Sequence, residues 1–363
     1  MAFTIRAAQE LGLPVLMFFT ISACSFMGFK QLRTLKDKGL TPVKDKTCVT
    51  KEYLDTVLDW IPGMKDIRIR DLPSFVQTTD PNDLMFNLTM EAAENASKAS
   101  AIVIHTFDAL ERVVLDALSS MFPRLFSIAP LQLLLNQIQE QDCLLNSIEC
   151  NLWKEETECL KWLDCKEPNS VIYVNFGSFI FTTKEQLFEI EMGLRNSSHP
   201  FLWIIRPDLV LGDTVDLQVS DKEKGFISGW CPQEEVLKHP SVGGFLTHSG
   251  WNSTMESLTA GVPMICWPFE GDQTTNCRFT CNDWGVGMEI INGDEEGEMS
   301  VIKRNEVEKF VRELIEGEKG KKLRKKAAEW KRLAEEAAAI NPDGSSFRNL
   351  DKLVNEILSP KDV

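Results

Sequence analysis

Short apolar runs alternate along this chain with longer segments of helical periodicity. "AIVIHTF" (residues 101–107) is apolar over the length of a strand, and "DALERVVLDALSSMF" behind it repeats apolar residues at helical spacing. The order recurs where "VIYVNFG" (171–177) precedes "TKEQLFEIEMGLRNS" and where "GGFLTH" (243–248) precedes a further helical pattern. This alternation predicts βα units with mostly parallel sheets, so the expected fold class is α/β.

The alternation comes in two series, which predicts two domains. A polar stretch, about residues 131–151, separates the series and is expected to be irregular. We assign residues 1–131 to a first domain, 132–152 to a linker and 153–342 to a second domain. Residues 343–363 are expected to form a C-terminal helix that packs back on the first domain. A chain of 363 residues with 43% hydrophobic content is long enough for this organisation.

The segment Leu11–Phe29 carries no charged residue and resembles a membrane anchor in length. Gly12, Pro14 and several hydroxyl residues interrupt it, and a strand "VLMFF" followed by a helix explains the pattern better. We therefore expect no stable membrane insertion.

Charge and cysteine content exclude further classes. The formal charge of −15 argues against a nucleic-acid partner, which requires a basic surface. The basic segment "EKGKKLRKKAAEWKRLAEEAAA" has glutamates interleaved with its lysines, which is typical of a solvated helix face. The ten cysteines form no CxxC pair and no histidine has zinc-ligand spacing, so we expect no metal and reduced thiols in a cytoplasmic protein.

The stretch "HSGWNSTMES" contains the clearest candidate site. His248 ends a predicted strand, and Asn252 or Ser253 is positioned to cap the helix that follows. The first N–H groups of such a helix, at the positive end of its dipole, suit a diphosphate. Glu256 lies one turn further on, where a carboxylate can accept hydrogen bonds from ribose hydroxyls. Alternatively, His248 is a core histidine and Glu256 a helix-start glutamate.

Three flanking motifs extend the candidate site. In "GWCPQEEVLKHP", the indole of Trp230 can stack on a flat base and Gln233 can pair with a base edge, although core packing is the simpler reading for Trp230 alone. In "WPFEGDQ", Asp272 and Gln273 suit sugar hydroxyls, or cap a helix. In "NFGS", a glycine turn at Ser178 lets backbone N–H groups approach a phosphate, but such turns are common.

These motifs together resemble a known family. Over the 44 residues from Trp230 to Gln273, the chain closely resembles the signature box of plant UDP-dependent glycosyltransferases of secondary metabolism. "SVIYVNFGS", "FLWIIRPDLV" and "GSSFRNLDKLVNEIL" extend the similarity to a subfamily that glucosylates iridoids, cyanohydrins and related alcohols.

The resemblance implies the GT-B arrangement, with two Rossmann-like domains facing across a cleft and the donor on the second. It implies that Trp230 and Gln233 contact uracil and that Glu256 binds the ribose. The diphosphate would be bound by Ser178, His248, Asn252 and Ser253, and the sugar by Trp251, Asp272 and Gln273. Cys231 and Gly250 belong to the same donor-binding motifs. The closing glutamine goes with glucose in this family.

The chain departs from the family at its start. The family's catalytic base is a histidine in a glycine-histidine turn near the beginning of the first domain, with a partner aspartate further along. The chain opens at "MAFTIRAAQELGLP", which resembles a segment just after that aspartate. We therefore expect an N-terminally truncated first domain and assign no catalytic residue. His105 is expected to be a strand-end residue rather than a substitute base.

The predicted function is inverting transfer of glucose from UDP-glucose to a hydroxyl of a small plant metabolite, such as a terpenoid, a cyanohydrin or the flavonoid quercetin. We expect a monomer that needs no cofactor beyond this co-substrate. The alternative is a catalytically dead UDP-sugar-binding fragment or pseudoenzyme. A dehydrogenase is disfavoured because no GxGxxG motif follows a strand. A metal-dependent transferase is disfavoured because no Asp-x-Asp triplet occurs.

Overall fold

The computed structural model describes residues 2–139, 153–211, 223–291, 301–340 and 344–358. The chain divides into two compact units. The first contains Met1–Leu145, Glu270–Asn276 and Leu333–Val363, and the second contains Asn146–Phe269 and Cys277–Arg332.

The elements of the first half are, in chain order, α1 (Ala2–Glu10), β1 (Leu16–Phe19), α2 (Ala23–Asp37), α3 (Lys51–Leu54), α4 (Leu84–Asn95), β2 (Ala101–Ile104), α5 (Asp108–Met121), β3 (Leu125–Ser127) and α6 (Leu131–Gln139). The strands form a parallel sheet in the order β1-β2-β3, with Leu16 opposite Ala101 and Ile102 opposite Leu125.

The second half begins with α7 (Glu158–Leu163), β4 (Val171–Asn175), β5 (Thr182–Thr183), α8 (Lys184–Asn196), β6 (Phe201–Ile204), β7 (Val210–Leu211), β8 (Gly225–Ser228) and α9 (Gln233–Lys238). It continues with β9 (Val242–Thr247), α10 (Trp251–Ala260), β10 (Met264–Cys266), α11 (Gln273–Arg278), β11 (Gly287–Glu289), α12 (Arg304–Ile315), α13 (Glu318–Ala338) and α14 (Ser345–Leu353).

The main sheet of the second unit reverses its order at one place. Its strands lie in the order β11-β10-β9-β4-β6-β8, and all the pairs are parallel. The chain proceeds from β4 through β6 to β8 and then returns to place β9 on the other side of β4. Ligands of open α/β sheets bind at such a reversal, beyond the carboxyl ends of the strands. The loops after β4 and β9 are therefore the expected ligand position.

Each unit has its own hydrophobic core. In the second unit, β4 and β9 are buried along nearly their whole length because helices cover both faces of the sheet. The apolar positions of α8 and α12 pack there, including Ile190 and Val311. In the first unit, Leu353 of α14 joins Val103 and Phe126 of the sheet.

The C-terminal helix packs against the first sheet through polar contacts as well. Within the first unit, the Ser346 hydroxyl donates to the carbonyl oxygen of Ala129 at 2.5 Å, and the Asn349 amide donates to that of Ser127 at 3.0 Å. The strand and the helix that the sequence predicts within Leu11–Phe29 correspond to β1 and to the start of α2. Within the described ranges, no helix combines the length and the apolar character needed to cross a bilayer.

The segment expected to be irregular is partly helical. Residues 131–139 form α6, because "LQLLLNQI" repeats leucine and isoleucine at helical spacing, and Leu134 is buried. Residues 140–152 lie outside the described residues, so the rest of the expected linker is not observed. His105 directly follows β2, and its N–H donates to the carbonyl oxygen of Phe19 at 3.0 Å, which places it at a strand end as expected.

Candidate functional site

The loop after β9 makes a tight turn into α10. Thr247 ends the strand, Ser249 has a left-handed backbone with φ of 64°, and α10 begins at Trp251. Gly250 is the residue before the helix and makes no side-chain capping hydrogen bond. The expected cap by Asn252 or Ser253 is wrong, because both residues already lie within the first turn of the helix.

The start of α10 presents N–H groups without a capping side chain. The first intrahelical bond of this turn runs from the N–H of Thr254 to the carbonyl oxygen of Gly250, at 2.9 Å. The N–H groups of Asn252 and Ser253 precede it and therefore have no partner inside the helix. At the positive end of the helix dipole, this arrangement suits a phosphate.

The imidazole of His248 is held against two glycines of the second unit. A Cβ at Gly177 would lie 2.6 Å from His248 Nε2, and one at Gly250 would lie 2.3 Å from the same atom. Gly177 also has a φ of 79°, which a side chain would strain. Both glycines therefore leave the space that this ring occupies.

The ring of His248 is neutral at physiological pH. Burial lowers its pKa from 6.5 to about 4, and an interaction with the backbone of Asn175 opposes that shift. A neutral imidazole keeps one N–H donor. The ring therefore adds no positive charge to the site.

A polar network joins the two sides of the sheet reversal. The Oε1 of Gln233 accepts from the Tyr173 hydroxyl at 2.9 Å and from the Asn175 amide at 2.8 Å. Its Nε2 donates to Glu256 Oε2 at 2.7 Å and to Ser253 Oγ at 3.1 Å. A glutamine amide has two donor and two acceptor positions, so all four are in use. In this structure Gln233 therefore orients Glu256, and its predicted contact with uridine stays a prediction.

Glu256 is a carboxylate with little water around it. Burial raises its pKa from 4.5 to about 7, and the hydrogen bond from Gln233 opposes that shift. The group is therefore positioned to accept further hydrogen bonds, which would favour its charged form.

Trp230 and Cys231 lie in the loop between β8 and α9. The Trp230 side chain is partly exposed, and its carbonyl oxygen accepts from the N–H of Glu156 at 3.0 Å. The carboxylate of Glu156 in turn accepts from the Ser228 hydroxyl at 2.6 Å. Cys231 is buried, and a hydrogen bond with Cys159 together with burial raises its pKa above the usual value. Trp230 is therefore the member of this pair whose side chain a ligand can reach.

The indole of Trp251 is packed in the interior of the second unit. It is 3% exposed, and its ring centre lies 5.9 Å from that of Trp284. The predicted contact of this indole with the sugar does not fit such burial. The side chain of Ser178 is partly exposed in the loop after β4, and its carbonyl oxygen accepts from Arg206 at 3.1 Å.

Asp272 and Gln273 belong to the first unit. Asn276 donates from Nδ2 to Asp272 Oδ2 at 3.0 Å. The Oδ1 of Asn276 accepts from the hydroxyls of Ser22 and Ser25, at 2.8 and 3.1 Å. Burial raises the pKa of Asp272 above its ordinary value. Asn276 thus fixes the carboxyl group of Asp272 through a buried chain of hydrogen bonds.

Four polar residues of these networks were not identified from the sequence: Glu156, Tyr173, Asn175 and Asn276. Tyr173 and Asn175 alternate with apolar residues in "VIYVNFG", for which the sequence pattern predicts only a strand. The polar residues at the carboxyl end of that strand were the available signal. No local sequence signal marks Glu156, because its partners at 228–230 are more than 70 positions away.

Comparison with known proteins identifies the class. Residues 69–323 match the family described as "UDP-glucoronosyl and UDP-glucosyl transferase". The chain is 53% identical to 7-deoxyloganetin glucosyltransferase of Catharanthus roseus, over 99% of this chain and 72% of that protein. It is also 53% identical to (R)-mandelonitrile beta-glucosyltransferase of Prunus dulcis, over 99% of this chain and 74% of that protein.

Solved structures agree with the sequence relatives. UGT2 of Phytolacca americana, in complex with UDP-2fluoro-glucose and pterostilbene, has a TM-score of 0.78 at 28% identity, over 98% of this chain and 74% of that one. Os79 of O. sativa, in complex with UDP, has a TM-score of 0.78 at 26% identity, over 97% of this chain and 75% of that one. The predicted α/β fold of the GT-B class is confirmed.

The chain belongs to the UDP-glucuronosyl and UDP-glucosyl transferase family. It is thus an enzyme of the UDP-glycosyltransferase class, as predicted, and the comparisons favour this reading over a catalytically dead binding protein.

Proposed function

We propose that this chain binds UDP-glucose at the sheet reversal of its second unit and transfers glucose to a hydroxyl of a small plant metabolite. The observation that carries the proposal is the start of α10, a helix end without a capping side chain, next to the Gln233–Glu256 network. A diphosphate and a ribose are the ligand groups that these two features suit.

The diphosphate is assigned to the turn after β9. The N–H groups of Asn252 and Ser253 point toward the helix start and carry its positive partial charge. His248 supplies a neutral donor, and the loop of Ser178 lies across the reversal after β4. Negative charge develops on the leaving UDP as the glycosidic bond breaks. Fixed donors that are already aimed at this position stabilise that charge without reorganisation.

The nucleoside is assigned to Trp230, Gln233 and Glu256. The partly exposed indole of Trp230 offers a stacking face for uracil. Glu256 accepts hydrogen bonds from the ribose hydroxyls, and Gln233 holds its carboxylate in place. The buried neighbour Cys231 supports this loop from inside the second unit.

The sugar is assigned to Asp272 and Gln273. The Asp272 carboxyl group is fixed by Asn276 and offers oxygen atoms to sugar hydroxyls. The contribution of Trp251 comes from its backbone at the helix start, since its indole is buried. We infer a preference for glucose from the closing glutamine of the motif.

We infer an acceptor among iridoid aglycones, cyanohydrins and flavonols such as quercetin. Relatives that are 53% identical are named for glucosyl transfer to 7-deoxyloganetin and to (R)-mandelonitrile, which supports the first two classes. We further propose that the chain acts as a monomer in the cytoplasm, without a metal for donor binding. An assay with UDP-glucose and one acceptor of each class tests the assignment, and a chelator in a parallel series tests the independence from metal.

Donor binding is tested by calorimetry with UDP, UDP-glucose and ADP in the presence of a chelator. Glu256→Ala should weaken UDP binding by about 1.5–3 kcal/mol, the range for hydrogen bonds to a charged group. Glu235→Ala, an exposed change on α9, is the matched control and should leave the affinity unchanged. Equal affinity for ADP and UDP would contradict the assignment of a uracil base to the loop of Trp230.

A further inference from the structure

Three cysteines of the second unit bring their sulfur atoms together beside the turn that follows β9, where Ser249 forms a hydrogen bond with Cys266. Cys266 ends β10, Cys277 lies in α11, and Cys281 lies in the turn of π-helix that follows, Phe279–Asp283. The three Sγ atoms all lie within 4.8 Å of one another. They are 11 and 4 positions apart in the sequence, which is not a recognised zinc spacing, so only the fold reveals the group.

The backbone of β11 passes close beside this cysteine cluster. Gly287 opens β11, and a Cβ there would lie 3.2 Å from both Cys266 Sγ and Cys281 Sγ. The same Cβ would lie 2.7 Å from a methyl group of Thr280. A side chain at position 287 would therefore clash with Thr280 and crowd the thiols, so this close approach requires glycine. Cys266 and Cys277 are buried, and Cys281 is partly exposed as a residue.

We propose that Cys266, Cys277 and Cys281 form a binding site for one Zn²⁺ ion, with a solvent molecule as the fourth ligand. Zinc binds three protein ligands and a water in many sites, with Zn–S distances of about 2.3 Å. Tetrahedral geometry at that distance separates the sulfur atoms by about 3.8 Å. The thiols therefore need to move by no more than about 1 Å to bind the ion.

Charge favours Zn²⁺ over Cu⁺, the other ion that three sulfur ligands suit. Three thiolates leave one net negative charge around Zn²⁺ and two around Cu⁺. Because two of the three sulfur atoms are buried, the smaller net charge costs less desolvation. Each thiol that binds the ion gives up its proton to solvent, so binding releases protons.

The site connects three elements of the second unit. An ion bound there would link the end of β10 to α11 and to the π-helical turn. Because only the fold brings all three thiols together, the ion would bind the folded chain more tightly than the unfolded one and would stabilise it by mass action.

The test begins with the reduced, metal-free chain. Zn²⁺ is titrated in competition with a chromophoric chelator, and we expect one ion to be retained per chain. Cys266→Ser, Cys277→Ser and Cys281→Ser should each abolish retention. Cys165→Ser, which changes an exposed thiol outside the cluster, should retain it. Retention that none of the three variants alters, or no retention by the unaltered chain, overturns the proposal.

A second measurement does not depend on variants that fail to fold. X-ray absorption on the zinc-loaded chain should show three sulfur neighbours and one lighter neighbour. Four sulfur atoms, or only nitrogen and oxygen atoms, would contradict the site. Cu⁺ held more tightly than Zn²⁺ in the same competition would contradict the choice of ion. None of these measurements uses UDP, so their outcome does not depend on whether the proposed donor-binding residues are correct.

Discussion

The two units each contain a junction where a parallel strand leads into a helix, and the two junctions treat the start of the helix differently. In the first unit, β1 leads into α2, and the N–H groups of Ala23 and Cys24 both donate to the carboxylate of Glu111, each at 2.8 Å. In the second unit, β9 leads into α10, whose start has no capping side chain. One helix start is satisfied by the chain's own anion, and the other remains available for the anion of a ligand.

The capping of α2 depends on an irregular residue in a distant helix. Glu111 lies in α5 but departs from helical geometry, with φ of −126° and ψ of 30°. Its side chain is 3% exposed, and burial raises its pKa above the ordinary value. Ser22 adds a conventional cap, since its hydroxyl accepts from the N–H of Ser25 at 3.1 Å. The two helix starts therefore differ: a carboxyl group of the chain caps α2, whereas the proposed partner of α10 is the diphosphate of a ligand.

The largest effect is expected from removing the internal anion. Glu111→Ala leaves two buried N–H groups without an acceptor, and each costs about 1–3 kcal/mol. We expect the free energy of unfolding to fall by about 3–5 kcal/mol, measured by denaturant titration.

The control for this prediction is Asp116→Ala, which removes an exposed carboxylate from the same helix and should change the stability by less than about 0.5 kcal/mol. Glu111→Gln keeps one acceptor oxygen and should fall between the two. A loss below 1 kcal/mol for Glu111→Ala would mean that the start of α2 does not need the carboxylate.

Local patterns were sufficient to predict several of the strands, including β2 and β4, and the position of the turn after β9. "AIVIHTF" and "VIYVNFG" were identified as strands because buried parallel strands are continuous apolar runs. His248 and Glu256 were identified because a strand end, a glycine turn and a helix start are adjacent in the sequence. The resemblance to a family then supplied the ligand.

Side-chain partners across long sequence distances could not be predicted. Glu111 reads as one of several helix-start acids, and nothing in its neighbourhood indicates that it caps a helix 88 positions away. The amide oxygen of Gln233 has both of its hydrogen bonds because β4 brings Tyr173 and Asn175 beside it. The grouping of Glu270–Asn276 with the first unit interrupts what appeared from the sequence to be one continuous domain. Each case requires the three-dimensional pairing of strands.

An intermediate effect is expected from giving α10 an anion of its own. Asn252 is exposed in the first turn of α10. Asn252→Asp places a carboxylate where the diphosphate is proposed to bind, as Glu111 does at α2. We expect UDP affinity to fall by tenfold to a hundredfold, or about 1.4–2.7 kcal/mol, by calorimetry.

The same substitution should stabilise the ligand-free chain by about 0.3–1 kcal/mol, since an acid in the first turn complements the dipole. Asn252→Ala is the control, because it removes the amide without adding charge and should not reproduce the gain in stability. If Asn252→Asp lowers UDP affinity no more than Asn252→Ala does, the diphosphate does not lie at this helix start.

The smallest effect concerns the carboxyl group of Glu256. It distinguishes a group that binds a ligand from one, such as Glu111, that stabilises the fold. Burial raises the pKa of Glu256 to about 7, whereas ribose hydroxyls donate to its charged form. Binding therefore favours the deprotonated group, and UDP affinity should rise about tenfold as the pH increases from 6 to 8, because the ionised fraction rises by about that factor. Glu256→Gln should lose this dependence. Any pH dependence of UDP affinity that remains in the variant comes from the phosphate of UDP, which itself titrates near pH 6. A nucleotide that lacks the 2′-hydroxyl should show a weaker dependence than UDP with the unaltered chain. A pH profile that is the same for the unaltered chain and Glu256→Gln would leave Glu256, like Glu111, as a residue that serves only its own chain.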